Sequence, residues 1–154
     1  MVVRNTSRYP TEEVEGLVRF AACDLDMRGV CVNVKNSHRY AYGGYAYLGV
    51  PEISNAPVSS EYLITLRLGA PDRFPFTPPR RRGAPPLHLD CWREALVAVG
   101  AHEAWHIQQY RRDLPRSEVA CERFEAVVLE RYREATRLLR TPARPVAGRR
   151  RART

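Results

Sequence analysis

The chain has 154 residues, of which 44% are hydrophobic and 27% charged, as expected for one globular domain with its own core. No apolar run approaches the roughly 18–20 residues of a membrane-spanning helix, and the N-terminus lacks the apolar segment of a signal peptide. We therefore expect a water-soluble, cytoplasmic protein with no membrane partner.

The formal net charge of +8 is concentrated near the C-terminus. Residues 141–154 hold five of the 25 basic residues and no acid, so 20 basic and 17 acidic residues remain elsewhere. This segment has too few apolar residues to fold by itself, and we expect a disordered basic tail. The predicted single domain therefore spans residues 1–140.

The first half of the chain predicts a helix followed by a small sheet. Pro10-Thr11 and the acids after it begin a helix that is expected to reach about residue 27 and stop near Gly29. Alternating apolar residues at 30–35, and tyrosines on both sides of Gly43-Gly44, predict two antiparallel strands joined by a turn. Tyr62–Leu68 is the best third strand.

The second half predicts a loop and two helices. Proline and arginine dominate residues 69–86, which favours a long loop with Arg80-Arg81-Arg82 in solvent. Asp90 is the expected N-cap of a helix that runs to about residue 111 and ends before Pro115. A last helix follows over residues 116–139. The order of elements predicts an α+β domain with a small antiparallel sheet.

His102-Glu103-Ala104-Trp105-His106 is an H-E-x-x-H segment within the first of these two helices. Histidines four residues apart share one helix face and can bind one ion, while Glu103 lies beside that face as a general base. The four cysteines form no C-x-x-C pair that would predict a different zinc site. We therefore predict a Zn²⁺ site at His102 and His106, with Glu103 as the catalytic base.

The following helix carries the candidates for a third zinc ligand. Glu118 and Glu122 are four residues apart and share a face, and Glu125 could share part of it. We predict Glu118 on the metal and Glu122 as the carboxylate that orients a histidine. The alternative, with Glu122 on the metal, stays open.

This pattern, His102-Glu103-x-x-His106 followed by Glu118-x-x-x-Glu122, resembles the gluzincin metallopeptidases, and among them small phage and bacterial members of the ImmA-like kind. The similarity to SprT-like proteins is looser and lies in the order of elements. The resemblance implies a minimal zincin-like fold, Glu118 as third ligand and a protein or peptide substrate. It also implies that the substrate lies along an edge strand, for which Tyr62–Leu68 is the candidate, beside the loop of residues 69–86.

Two other interpretations remain open. The histidines could form ordinary hydrogen bonds with Glu118 or Glu122 between two helices, without a metal. The protein could also be a non-catalytic interaction protein that binds nucleic acid or acidic partners through its arginine-rich loop and its tail.

Overall fold

The computed structural model describes residues 1–51 and 55–140. Its elements are β1 (Val2–Asn5), α1 (Thr11–Ala21), β2 (Val30–Asn36), β3 (Tyr42–Tyr47), β4 (Tyr62–Leu68), α2 (Trp92–Arg111) and α3 (Glu118–Arg140). The predicted α+β class is confirmed. The predicted basic tail, residues 141–154, lies outside the described residues. Within the described ranges, no helix has the length and apolar composition needed to cross a membrane.

The prediction of a small antiparallel sheet is wrong. The four strands form one mixed sheet in the order β1-β2-β4-β3, in which only the pair of β3 and β4 is antiparallel. Gly43-Gly44 lies inside β3 instead of in a turn. Strand β4 takes a central position and pairs along both edges, with Ile64, Leu66 and Leu68 buried on one face and Leu63 buried on the other, more polar face.

Strand β3 is therefore the edge strand next to the helices, and the candidate edge Tyr62–Leu68 is wrong. Strand β4 uses both of its edges for pairing, since β2 and β3 flank it. Strand β3 contacts α2 and leaves its outer edge without a partner strand among the described residues. Any extended chain that pairs with this end of the sheet must pair with β3.

Helix α2 is the centre of the domain. It packs against α1, α3 and the sheet, and 15 of its 20 residues are buried. The predicted N-cap, Asp90, is wrong, since Cys91 is the N-cap of α2. The backbone N–H of Asp90 donates instead to Glu94 at 2.9 Å. Polar side chains in such a helix lose most of their contact with water, so each needs a partner within the protein.

The turns after α1 and α2 set the direction in which the chain enters the next element. Helix α1 ends at Ala21, earlier than predicted, and Asp26 accepts the backbone N–H of Arg28 in the turn before β2. After α2, Asp113 adopts a positive φ of 53°, and Leu114 N–H donates to the carbonyl of Gln109 at 2.8 Å. This turn reverses the chain, so α3 packs back along the motif helix.

Candidate metal centre

The two motif histidines face one carboxylate on the next helix. Nε2 of His102 lies 3.1 Å from Oε2 of Glu118, and Nε2 of His106 lies 3.3 Å from Oε1 of the same side chain. Ligand atoms that share a tetrahedral zinc ion at 2.0–2.1 Å lie about 3.3–3.4 Å apart. Each imidazole thus lies about one ligand-to-ligand distance from the carboxylate of Glu118.

The other ring nitrogen of each histidine has its own acceptor. Nδ1 of His102 lies 3.1 Å from Oε2 of Glu125, and Nδ1 of His106 lies 3.1 Å from Oε1 of Gln109. The amide of Gln109 is oriented by Nε2, which donates to the Ser117 carbonyl at 3.0 Å. Both Nδ1 atoms therefore donate, which leaves Nε2 as the lone-pair atom of each neutral ring.

Where Nε2 carries a lone pair and faces an ionised carboxylate oxygen, a proton or a metal ion between the two atoms would remove their repulsion. Burial lowers the pKa of His106, which favours its neutral form. Burial also disfavours charge on His102, but its hydrogen bond to Glu125 and the charge of that carboxylate outweigh this and raise the pKa of His102. A proton can satisfy His102, and the neutral ring of His106 keeps a lone pair that is available to a metal ion.

Glu125 lies in the place that the sequence analysis gave to Glu122. The carboxylate of Glu122 is turned to the loop, where Oε1 pairs with Nη1 of Arg81 at 3.0 Å and Oε2 accepts the backbone N–H of Arg81 at 3.2 Å. The residue beside His102 is Glu125, which is 1% exposed. Its position seven residues after Glu118, two helical turns away, was the available signal for it.

Arg80 connects the loop to this centre, and the prediction that it lies in solvent is wrong. Its side chain is 11% exposed and forms an ion pair with Glu125. Its guanidinium also donates to the carbonyls of Glu122 at 2.8 Å and Pro85 at 3.0 Å. Because Arg80 and Arg81 both pair with carboxylates of α3, the loop has less free charge for an external partner than the sequence suggests.

Cys121 is a second candidate for the third ligand, which was not predicted from the sequence. The donor atoms of His102, His106 and Cys121 all lie within 4.8 Å of one another. The thiol is fully buried, and its Sγ lies 3.4 Å from Nδ1 of His106. Burial, followed by the charge of Glu118, raises the pKa of Cys121 and keeps the thiol protonated without a metal. Its spacing of three residues from Glu118 was the sequence signal.

Glu103 lies at the bottom of a cleft next to the histidines. The cleft has a volume of about 560 Å³ and is lined by His102, Glu103 and Glu118 from the two helices, by β3 and by the loop of residues 69–86. Glu103 is 6% exposed, and burial raises its pKa to about 7. The loop therefore lines the cleft, as predicted.

Comparisons with models of protein families, with curated proteins and with solved structures find no match for this chain. The structure brings together four of the five predicted site residues, His102, Glu103, His106 and Glu118, around one cleft and its floor. It turns the fifth, Glu122, toward Arg81. The geometry of His102, Glu103, His106 and Glu118 is therefore the basis for assigning a function to this chain.

Proposed function

We propose that this protein is a zinc-dependent hydrolase that cleaves peptide bonds. His102, His106 and Glu118 would hold the ion, and Glu125 and Gln109 would fix the two imidazole rings. The observation that carries the proposal is the placement of both Nε2 atoms against the two oxygens of Glu118, at 3.1 and 3.3 Å. Two nitrogen ligands and one carboxylate are a donor set that catalytic zinc sites use.

A bound zinc ion supplies two effects, a lower pKa of a water molecule and polarisation of the scissile carbonyl. Glu103 supplies the proton transfers, since its carboxylate can accept a proton from water in the cleft and return it to the leaving amine. Its pKa of about 7 suits a group that must both take and release a proton near neutral pH. Burial of Glu103 also keeps bulk water from competing for that proton.

The substrate would be an extended peptide segment that pairs with β3. This strand borders the cleft through Tyr42, Gly43 and Gly44, and its outer edge has no partner strand in the described part of the chain. Main-chain hydrogen bonds to β3 would hold the peptide above Glu103. Recognition of the main chain in this way requires a peptide in extended form, so flexible segments are better substrates than folded domains.

Metal content is the first test of the proposal. Purified wild-type protein should bind one zinc ion per chain, and His106→Ala should lose it because two ligands cannot replace three. His38→Ala is the matched control, since His38 is exposed and its imidazole has no part in the centre. Equal zinc content in all three proteins would rule the metal site out.

Hydrolysis is the second test and separates catalysis from metal binding. The zinc-loaded protein should cleave members of an unstructured peptide library, with new termini detected by mass spectrometry. Glu103→Gln should keep its zinc and lose about 10²- to 10⁴-fold in rate, as expected when a general base is removed. A Glu103→Gln protein with wild-type rates would refute the role of Glu103. Zinc binding without any cleavage by the wild type would mean that the protein binds metal but does not hydrolyse peptides.

A further inference from the structure

The sheet has a concave surface on the side opposite the helices. Successive strand residues alternate between the two faces, and the outward ones pair across strands, with Asn33 opposite Thr65, Lys35 opposite Arg67 and Tyr45 opposite Thr65. These side chains line a cavity of about 530 Å³ that is separate from the metal centre. We call it the outer-face groove and define it by Asn33, Lys35, Tyr45, Tyr47, Thr65 and Arg67.

The charged side chains that line the outer-face groove are positive among the residues that the structure describes. Lys35 and Arg67 lie side by side in register, and neither forms an ion pair with any residue in the described ranges. The described residues that line the groove include no aspartate or glutamate. Most arginines near the metal centre pair with carboxylates, so two neighbouring cations without an ion pair among the described residues distinguish the outer face.

Exposed aromatic rings border these cations. Tyr45 and Tyr47 are 50% and 38% exposed, and their ring centroids lie 4.6 Å apart. Tyr40, at the rim between the groove and the cleft, is 65% exposed. Rings that remain in water in this way offer flat apolar faces to a planar ligand.

We propose that the outer-face groove binds single-stranded nucleic acid. Lys35 and Arg67 would contact phosphates, the tyrosine rings would stack on bases, and Asn33 and Thr65 would supply hydrogen bonds at the floor. A duplex fits less well, because its bases are stacked inside the helix and cannot reach rings within a concave surface. An acidic peptide would satisfy the cations but would leave the tyrosines without planar partners.

Lys35 provides a direct footprint, because it is the sole lysine of the chain. An amine-reactive reagent should label Lys35 and the N-terminal amine, and mass spectrometry can quantify both in one digest. A saturating 12-nucleotide deoxythymidine oligomer should reduce labelling of Lys35 several-fold and leave the N-terminal amine unchanged. Unchanged labelling of Lys35 while the oligomer is bound would place binding elsewhere, for example on residues 141–154, and would overturn the proposal.

Charge-matched variants of the full chain give an independent test by fluorescence anisotropy with the same oligomer. Lys35→Gln with Arg67→Gln should weaken binding about 10-fold or more at low salt, and should reduce the slope of log affinity against log salt by about 1.4. Arg19→Gln with Arg82→Gln removes the same charge from two exposed residues outside the groove and should have little effect. Equal losses in the two double variants would mean general attraction to a basic protein and would overturn the proposal.

Two further measurements complete the test. Tyr45→Leu keeps the charge and should weaken binding roughly 5- to 150-fold through lost stacking, whereas unchanged affinity would exclude a base on this ring. A poly-glutamate peptide should compete poorly with the oligomer, and equal competition would assign the groove to acidic proteins. The His106→Ala protein should bind the oligomer as wild type does, so this proposal and the zinc proposal can fail separately.

Discussion

Gly44 of β3 lies directly against Glu103 of α2. A Cβ atom at position 44 would lie 2.7 Å from Cγ of Glu103 and 2.9 Å from Cγ2 of Val99, both too close for carbon atoms. The absence of a side chain at Gly44 therefore allows the edge strand to approach the candidate base, and Glu103 keeps its position only while residue 44 remains glycine.

The substitution Gly44→Ala should lower the rate of peptide hydrolysis by at least about 10-fold, because misplacement of a catalytic group by about 1 Å costs that much or more. Zinc content should not change, since the atoms that a Cβ at position 44 would meet first belong to Glu103 and Val99 and not to a histidine. Gly43→Ala is the matched control, because a Cβ atom there meets nothing within 4 Å. Equal rates for the two variants would mean that Glu103 tolerates displacement or takes no part in the reaction.

Glu125 should matter more for metal affinity than Glu122. Glu125→Gln weakens the acceptor of His102 Nδ1 and should reduce zinc affinity roughly 10- to 100-fold, the usual effect of losing such a partner. Glu122→Gln changes a carboxylate that pairs with Arg81 and should leave zinc affinity within a few-fold of wild type. Competition with a chromogenic chelator measures both constants, and the reverse ranking would restore the prediction made from sequence.

The two candidates for the third ligand, Glu118 and Cys121, would give the cobalt-substituted protein different absorption spectra. With Glu118 as ligand, the cobalt-substituted protein should lack a thiolate-to-cobalt charge-transfer band, and Cys121→Ser should bind Co²⁺ as wild type does. Glu118→Gln should weaken cobalt binding strongly, because the carboxylate spans both Nε2 atoms. A charge-transfer band that disappears in Cys121→Ser would identify the thiol as the ligand instead.

The metal-free protein should lose stability as the pH rises toward neutrality because of Glu103. Its pKa of about 7 in the folded state lies above the ordinary value of 4.5, so the folded chain holds a proton that the unfolded chain releases. The free energy of unfolding contributed by this group is highest below pH 4.5 and falls as the pH rises to about 7.

Glu103→Gln removes this dependence. The stability of the variant relative to wild type should therefore rise across that pH window, by an amount of up to about 3 kcal/mol. Urea unfolding in the presence of a chelator, at several pH values from 4.5 to 8, measures this difference. A difference that does not vary with pH would show that Glu103 is solvated and ionised in the folded protein.

The sequence by itself determined the local parts of the centre. His102, Glu103 and His106 lie within five consecutive helical residues, so the geometry of one helix places the two imidazoles on one face. Pro115 and the acids after it located the next helix closely enough to name Glu118. The two helices and the shared face of the imidazoles could be predicted because they depend on short-range periodicity and on residues that end helices.

Only the tertiary structure decided which groups complete the centre and how the strands are ordered. Whether Glu122 or Glu125 meets His102 depends on the rotation of α3 about its axis against α2, which the spacing of residues within α3 does not determine. Arg80 reaches Glu125 across 45 residues of sequence. Strand β4 pairs with β2 on one edge and with β3 on the other, an order that the sequence pattern did not determine. This order places Gly44 beside Glu103 on one face of the sheet and the outer-face groove on the other.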